Sequence, residues 1–213
     1  MNWDQTNPKS RRGYHHGNLR EALIEAAMRL IGEKGAAGFT IAEAARAAGV
    51  SPAAPYRHFR DRDELMADIA RRGFESFAAA LRAAWDRGRP TPREALMRLG
   101  AAYLAFARTE PATYVAMFES GLAMSRHPGL HAAAEDAFSA LREACETIIA
   151  DIPPPRRPPA LMMALHVWSL SHGIASLFAR GDVARRPLPM APEELLEAGV
   201  LVYLDGLGVP ERR

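Results

Sequence analysis

Helical periodicity interrupted by glycine and proline is the feature that most constrains the fold of this chain. Apolar residues recur at three- and four-residue intervals, and Gly and Pro clusters divide the pattern into about nine segments. No segment shows the strict alternation of apolar and polar residues that a half-buried strand needs. The sequence therefore predicts an all-α fold of about nine helices.

Several helices have clear start signals. Thr40 and Asp61 are capping residues, and each is followed three positions later by a glutamate. Thr91 precedes Pro92, and proline suits the first position of a helix because its missing N–H would have no partner there. These signals predict helices that begin directly after residues 40, 61 and 91.

Two short segments meet at Gly49. The first, residues 41–48, carries small alanine side chains where two helices must cross closely. In the second, Pro55 would crowd the carbonyl group of Ser51, so we expect a tight, partly 3₁₀ turn. The corner is typical of a helix-turn-helix, a unit that also occurs in proteins that never touch DNA.

The residues around this corner form a specific combined motif. It consists of Thr40, Ala45, Ala48-Gly49-Val50-Ser51, Tyr56-Arg57-His58-Phe59, Arg62 and Leu65, with the lead-in Tyr14-His15-His16-Gly17. The motif resembles the amino-terminal domain of the TetR/AcrR transcriptional regulators. The resemblance implies a dimeric repressor whose recognition helix, residues 51–59, enters the major groove of DNA. It also implies phosphate contacts from Thr40, Tyr56, His58 and Arg62, the last at a position where the family usually has lysine.

Recognition of bases departs from the usual pattern. The Pro-Ala-Ala-Pro run at 52–55 offers no side-chain hydrogen bonds, which leaves Ser51 and Arg57 as polar candidates. We therefore expect Ala53 and Ala54 to contact the methyl groups of thymine.

The amino terminus is basic although the formal net charge of the chain is only +2. Up to residue 20 it holds Lys9, Arg11, Arg12 and Arg20 against Asp4 alone. This excess indicates an anionic partner, or only a solvated tail. Arg11 and Arg12 are candidates for minor-groove contacts, with non-specific attraction to phosphates as the alternative.

Two apolar helices near the carboxyl end predict a subunit interface. The segment 160–179 is apolar nearly all round, and the segment 193–207 has apolar residues on two faces, so both need cover on more than one side. In the TetR family, the last two helices of each subunit form an intermolecular four-helix bundle. We expect an interface of Leu170, Ile174, Leu177, Leu196, Val200 and Tyr203.

Aromatic and methionine side chains in this half of the chain predict a cavity for a small ligand, although most such residues pack in cores. Trp168, His172 and Gly173 resemble a TetR subgroup with a Trp-x-x-x-His-Gly pattern. The alternative is a packed tryptophan beside a hydrogen-bonded core histidine. The candidate ligand contacts are Tyr103, Phe106, Tyr114, Met117, Phe118, Met162, Trp168 and His172.

Other classes of function leave no trace. The sequence has no HExxH motif, no phosphate-binding glycine loop and no nucleophile elbow. The only histidines four residues apart, His127 and His131, flank Pro128-Gly129, which spoils the helical geometry that chelation would need. We therefore expect neither an enzyme nor a metal or cofactor site. No apolar stretch reaches roughly 18 residues and the start lacks an apolar core, so we expect a cytoplasmic protein without a membrane span.

Three parts are predicted: a basic arm (1–17), a helix-turn-helix DNA-binding domain (18–65), and a domain for effector binding and dimerisation (66–213). The helix that begins after Asp61 should link the last two. The predicted function is that of a homodimeric repressor, released from a near-palindromic operator in double-stranded DNA by a small, largely apolar ligand. The alternatives are an all-α protein-interaction module without DNA binding, an activator, or a ligand-independent regulator.

Overall fold

A computed structural model describes residues 19–179 and 189–209. Within these ranges the chain has no strand, as predicted, and it forms eight α-helices. They are α1 (Leu19–Lys34), α2 (Ile41–Ala47), α3 (Arg62–Trp85), α4 (Pro92–Thr109), α5 (Pro111–Phe118), α6 (Pro128–Ile149), α7 (Ala160–Ala179) and α8 (Pro192–Gly206). The remaining predicted segment, 51–59, forms only one 3₁₀ turn, over Ala54–Arg57.

The predicted helix starts are confirmed. At α2 the Thr40 hydroxyl accepts the N–H of Glu43 at 3.2 Å, and the Glu43 carboxylate accepts the N–H of Thr40 at 2.8 Å. The Asp61 carboxylate accepts the N–H of Glu64 at 2.8 Å, and Thr91 caps α4 in the same way. These contacts satisfy N–H groups that have no partner within their own helices.

The helices build two separate hydrophobic cores. The head core combines α1, α2, the first turns of α3 and part of α5 around side chains such as Leu23, Phe59 and Met66. Phe59 is 1% exposed, as expected for a core residue. The body core is built by the rest of α3 and by α4 to α8.

Both α3 and α5 contribute to the two cores. On α3, Ile69 packs in the head core and Phe77 in the body core; on α5, Ala116 is fully buried in the head core and Met117 in the body core. The link through α3 was predicted, whereas the link through α5 was not. The domain boundary predicted at residue 65 thus falls inside α3, whose next turn still packs in the head.

The two linking helices pack tightly against each other at Gly73. A Cβ atom built on Gly73 would lie 2.6 Å from Cγ2 of Thr113 and 2.7 Å from Sδ of Met117. Both distances are shorter than any normal contact between these atoms. A larger residue at this point of α3 would therefore require Thr113 and Met117 to move.

The carboxyl-terminal helices correct part of the predicted dimer interface. Ile174, Leu196 and Val200 are only 3%, 4% and 3% exposed within their own subunit. They pack there because α7 and α8 contact each other and α4, which leaves these side chains no surface for a partner. Leu170 and Tyr203 are half-buried, and Leu177 is exposed.

Helix α7 is also long and apolar enough, by length and composition alone, to span a membrane. The stretch Ala160–Phe178 has a mean hydropathy of 1.3, contrary to the expectation that no such segment exists. In this fold α7 packs against α4, α6 and α8, and Met163 and Ala164 on its inner side are fully buried. Only 33% of the stretch is buried, so its inner side packs as a core helix does, while apolar residues on its outer side stay exposed.

Candidate functional site

The corner between α2 and the next segment is fixed by the backbone. Gly49 has a φ of 73°, a left-handed conformation that favours glycine. The N–H of Gly49 donates to the carbonyl oxygen of Arg46 at 3.1 Å, and the N–H of Val50 to that of Ala45 at 3.0 Å. This pair of hydrogen bonds is a Schellman motif, which ends α2 and turns the chain sharply.

The segment after the corner is compact. The N–H of Ala54 donates to the carbonyl oxygen of Ser51 at 3.0 Å, which confirms the expected tight turn. Pro55 and Phe59 are buried beneath it and anchor it to the head. The turn does not extend into an α-helix, so the surface that replaces the predicted recognition helix is one turn long.

Most residues predicted to contact DNA are exposed. Tyr56 is 58% exposed although the adjacent core takes up Phe59, so packing in the subunit does not explain this tyrosine. Ala54 is half-buried, and Arg11 and Arg12 lie outside the described residues. The exposed candidates are Thr40, Ser51, Ala53, Tyr56, Arg57 and His58.

The donors of Thr40 are already occupied. Its N–H and its hydroxyl both donate to the Glu43 carboxylate, at 2.8 and 3.0 Å, and Lys34 Nζ lies 2.8 Å from the same side chain. The Lys34 contact and the Thr40 donors lower the pKa of Glu43 to about 2. An ionised carboxylate therefore stands where the resemblance implies a phosphate, and Thr40 can reach DNA only if Glu43 releases it.

Arg62 does not present its guanidinium as the resemblance implies. Nε donates to the carbonyl oxygen of Phe39 at 3.0 Å, Nη2 donates to that of Ala36, and the guanidinium lies over the Phe39 ring. Arg62 thus ties the loop between α1 and α2 to the start of α3. These contacts account for its donors and argue against its predicted phosphate contact.

A charged cluster that sequence reasoning missed joins α1 to α3. Asp68 is 8% exposed and lies 3.0 Å from Arg20, 2.8 Å from Arg71 and 3.1 Å from Arg72. Arg72 also donates twice to the Glu21 carboxylate, at 2.6 Å each. Burial alone raises the pKa of Asp68, but hydrogen bonds from Arg71 and Arg20 outweigh it, so the net pKa is lowered. The carboxylate is therefore ionised and holds the two helices together.

The body holds a partly open cavity of about 430 Å³ with a mostly aromatic and aliphatic wall. Four predicted ligand contacts line it: Tyr103, Met117, Phe118 and Trp168. Lining residues from α3 and α6, such as Phe74, Phe77, Glu135 and Phe138, were not predicted. Its volume and composition are those of a small-molecule site.

Tyr114 and His172 lie behind the cavity wall. The hydroxyls of Tyr114 and Tyr103 lie 2.7 and 3.0 Å from Nδ1 of His172 and 3.4 Å from each other. Burial raises the pKa of both tyrosines and lowers that of His172, which a nearby Glu119 partly opposes. The cluster is therefore neutral at pH near 7, and its polar atoms bond one another.

Two further ligand candidates do not reach the cavity. Phe106 packs against the ring of Phe77, with centroids 5.0 Å apart, and Met162 is 42% exposed on α7. Neither residue borders the cavity. The apolar pattern of a helix predicts burial, but it does not separate a core position from a cavity wall.

Comparison with known proteins identifies the family. The model of the tetR family of bacterial regulatory proteins matches residues 23–69, and that of the tetracyclin repressor-like C-terminal domain matches residues 96–203. The chain belongs to the TetR family. TetR-family proteins are DNA-binding transcriptional regulators and not enzymes. The finer resemblance, to a Trp-x-x-x-His-Gly subgroup, stays a prediction.

Individual TetR-family relatives are similar over different lengths. The regulator BetI of Rhizobium meliloti (strain 1021) is 35% identical over 106 residues, which cover 46% of this chain and 50% of BetI. BetI of Brucella anthropi is 40% identical over 75 residues, which cover 35% of this chain and 38% of that protein. The matches thus span half or less of these relatives.

Solved structures extend the similarity over nearly the whole chain. A protein of unknown function from Rhodococcus sp. RHA1 is 29% identical, with a TM-score of 0.76 over 92% of this chain and 98% of that one. The TetR-family regulator PfmR from Thermus thermophilus is 23% identical, with a TM-score of 0.66 over 90% and 99% of the two chains. The all-helical TetR fold therefore includes both head and body.

Proposed function

We propose that this TetR-family chain is a homodimeric repressor that leaves its operator when a small, largely apolar ligand fills the body cavity. The observation that carries the proposal is the exposed corner at Tyr56, on a head that shares α3 and α5 with the cavity wall. The proposed site of action is the cytoplasm, where the operator DNA lies.

The corner residues divide into two roles. Tyr56 and His58 would bind phosphates and fix the position of the head, while Ser51 and Arg57 would supply polar contacts to bases. Ala53, exposed at the turn, and half-buried Ala54 would contact thymine methyl groups. Two heads would meet half-sites about 34–36 Å apart or a multiple of this, on a near-palindromic operator.

The outer side of α7 and α8 supports dimerisation. Leu177 and Val202 are 57% and 73% exposed, although both are large and apolar. A Cβ atom built on Gly173 would meet nothing within its own subunit, so this glycine leaves room for a partner backbone. We therefore place the interface on this outer side, with Met162 and Leu177 rather than with Ile174.

Ligand binding would act through the two linking helices. Phe74 and Phe77 on α3 and Met117 on α5 line the cavity, and both helices continue into the head core. A ligand that binds better to the body conformation with unsuitably spaced heads lowers DNA affinity by that difference in free energy, typically about 1–3 kcal/mol.

The central test is binding to double-stranded DNA. Selection from a random oligonucleotide pool should yield a near-palindrome, and log Kd measured on it should change with log salt by about 0.9 per phosphate contacted. A protein-interaction module would select no sequence and bind no duplex even at low ionic strength. A reporter under this operator should become more active when the gene is deleted; lower activity would identify an activator.

A further inference from the structure

The described wall of the cavity contains one acidic side chain and no basic one. Among the described residues that border the cavity, Glu135 on α6 is the only aspartate, glutamate, lysine, arginine or histidine. Its side chain is exposed at the edge of the cavity, and no ion pair engages it within the described part of the chain. The neighbouring Arg82 is occupied by Asp136, with Nη2 at 2.6 Å from the carboxylate.

The polar groups of the wall are committed elsewhere. The Tyr103 hydroxyl bonds to His172 and Tyr114, and Trp168 makes a side-chain hydrogen bond to the same tyrosine. The Ser171 hydroxyl donates to the carbonyl oxygen of Val167 at 2.9 Å. The remaining wall is largely aromatic, with Phe74, Phe77, Phe118, Phe138 and Trp168 in edge-to-face or tilted contacts.

These features discriminate among ligand charges. A buried anion needs a cation or free donors, and the described wall supplies neither, so its desolvation would go uncompensated. A buried cation is attracted by the faces of aromatic rings.

We propose that the cavity selects lipophilic cations, which are molecules with an apolar body and one positive charge. The apolar body would fill the aromatic interior, and the positive charge would lie toward Glu135. The regulatory meaning of this selectivity rests on the proposed function, whereas the binding itself does not.

Three phenyl-substituted probes test the charge: a cation and an anion of the same four-ring shape, and a smaller neutral compound. They are the tetraphenylphosphonium cation, neutral triphenylphosphine oxide and the tetraphenylborate anion, each titrated calorimetrically into the full chain. We expect the cation to bind at least about 10-fold more tightly than the oxide, in line with a desolvated cation–aromatic interaction. Equal affinity for cation and oxide, or tighter binding of the borate, would overturn the proposal.

Matched variants locate the charge effect. Glu135→Gln should weaken the cation about 3-fold, as expected for a partly exposed ion pair, and leave the oxide unchanged. Glu143→Gln, an exposed position two turns further along the same helix, should change neither. An equal loss in both variants would mean attraction to the acidic surface in general and would overturn the role of Glu135.

A filled cavity separates interior binding from adsorption. Ala134 lines the cavity and is only half-buried, so Ala134→Trp should fill the space without disrupting the core. Circular dichroism checks that this variant folds. Binding of the cation should then fall at least about 10-fold; unchanged binding would place the cation outside the cavity and overturn the proposal.

Duplex binding, measured in parallel, keeps the two proposals apart. A chain that binds the cation but no duplex supports this inference and refutes the proposed function. A chain that binds duplex and cation together, without release, supports the cation site and refutes only ligand-driven release.

Discussion

The Arg62 guanidinium lies 4.8 Å from the centroid of the Phe39 ring, and its Nε donates to the carbonyl oxygen of the same residue at 3.0 Å. One side chain therefore covers an aromatic face and satisfies a loop carbonyl at once. The family's usual lysine is a point charge, which cannot match the planar fork of arginine in both tasks. In this chain Arg62 therefore stabilises the loop that leads into α2, the first helix of the corner.

Replacing Arg62 should therefore affect stability more than the number of phosphate contacts. We expect Arg62→Ala to lower the free energy of unfolding by about 2 kcal/mol, because two carbonyl groups and a ring lose their partner. Urea denaturation measures this loss, and the salt dependence of duplex binding should stay unchanged. Arg57→Ala is the control: it removes an exposed arginine proposed to contact bases, so it should weaken duplex binding and leave the free energy of unfolding unchanged. Unchanged stability with a smaller salt slope for Arg62→Ala would restore a phosphate contact.

Tyr56→Phe removes one exposed hydroxyl. The variant should keep the wild-type stability, because a side chain 58% exposed contributes little to the core. Its duplex affinity should fall roughly 5- to 30-fold, the effect of losing a hydrogen bond to a charged phosphate, about 1–2 kcal/mol. Fluorescence anisotropy with the selected operator measures the change. An unaltered Kd would remove Tyr56 from the DNA contacts.

The Asp68 cluster predicts how stability depends on pH. Its pKa in the folded chain is below the ordinary value of 3.8, so its contribution is present above that value and is lost as the pH falls through the folded pKa. At neutral pH we expect Asp68→Asn to lower the free energy of unfolding by about 2–4 kcal/mol, since three arginines lose a buried partner. Urea denaturation below pH about 4 should show the two proteins converging.

Gly73→Ala should separate the two linking helices. The added methyl group would meet Thr113 and Met117 at 2.6–2.9 Å, so we expect a loss of about 1–3 kcal/mol in the free energy of unfolding. Gly32→Ala is the matched control: it lies in α1 with its nearest neighbour 4.0 Å away and should gain about 0.5–1 kcal/mol. Thermal denaturation compares the two. Similar gains in both variants would contradict the tight contact.

Val202→Glu should yield monomers. A carboxylate at a position that is 73% exposed in the lone subunit leaves the fold intact but cannot be buried against a partner without a large desolvation cost. Sedimentation velocity should show half the mass of the wild-type protein, whereas Ala83→Glu, exposed on α3, should remain dimeric. A dimeric Val202→Glu protein would place the interface elsewhere.

Local features of the fold were predictable because their causes are local. A capping residue, the glutamate after it and a glycine at the turn act within a few residues, so the starts of α2 and α3 and the end at Gly49 follow from the sequence. The tight turn was also predictable, because the crowding of the Ser51 carbonyl group by Pro55 is a local effect. The turn stops short of a predicted helix because Pro55 and Phe59 anchor it in the head core, a long-range effect.

Positions that depend on how helices rotate against one another were not predictable. Ile174 and Leu177 lie on the same apolar helix, yet one is buried and the other exposed once α7 packs against α4, α6 and α8. Phe77 was hard to assign for a similar reason: the apolar spacing of its helix predicts burial but does not tell a core position from a cavity wall. For Arg62, the family resemblance implied a phosphate contact, whereas in the fold its guanidinium donates to the carbonyl oxygens of Phe39 and Ala36.

Helix α5 places Ala116 in the head core and Met117 in the body core, and this arrangement has a consequence for chimeric proteins. A graft that joins residues up to 85 to an unrelated sensor would leave a hole under α1, because the α5 side chains that fill it would stay behind. The smallest DNA-binding unit that could be transplanted therefore consists of two separate stretches, the residues up to 85 and residues 111–118. Exchanging sensors within this scaffold would require the incoming module to supply its own equivalent of that short helix.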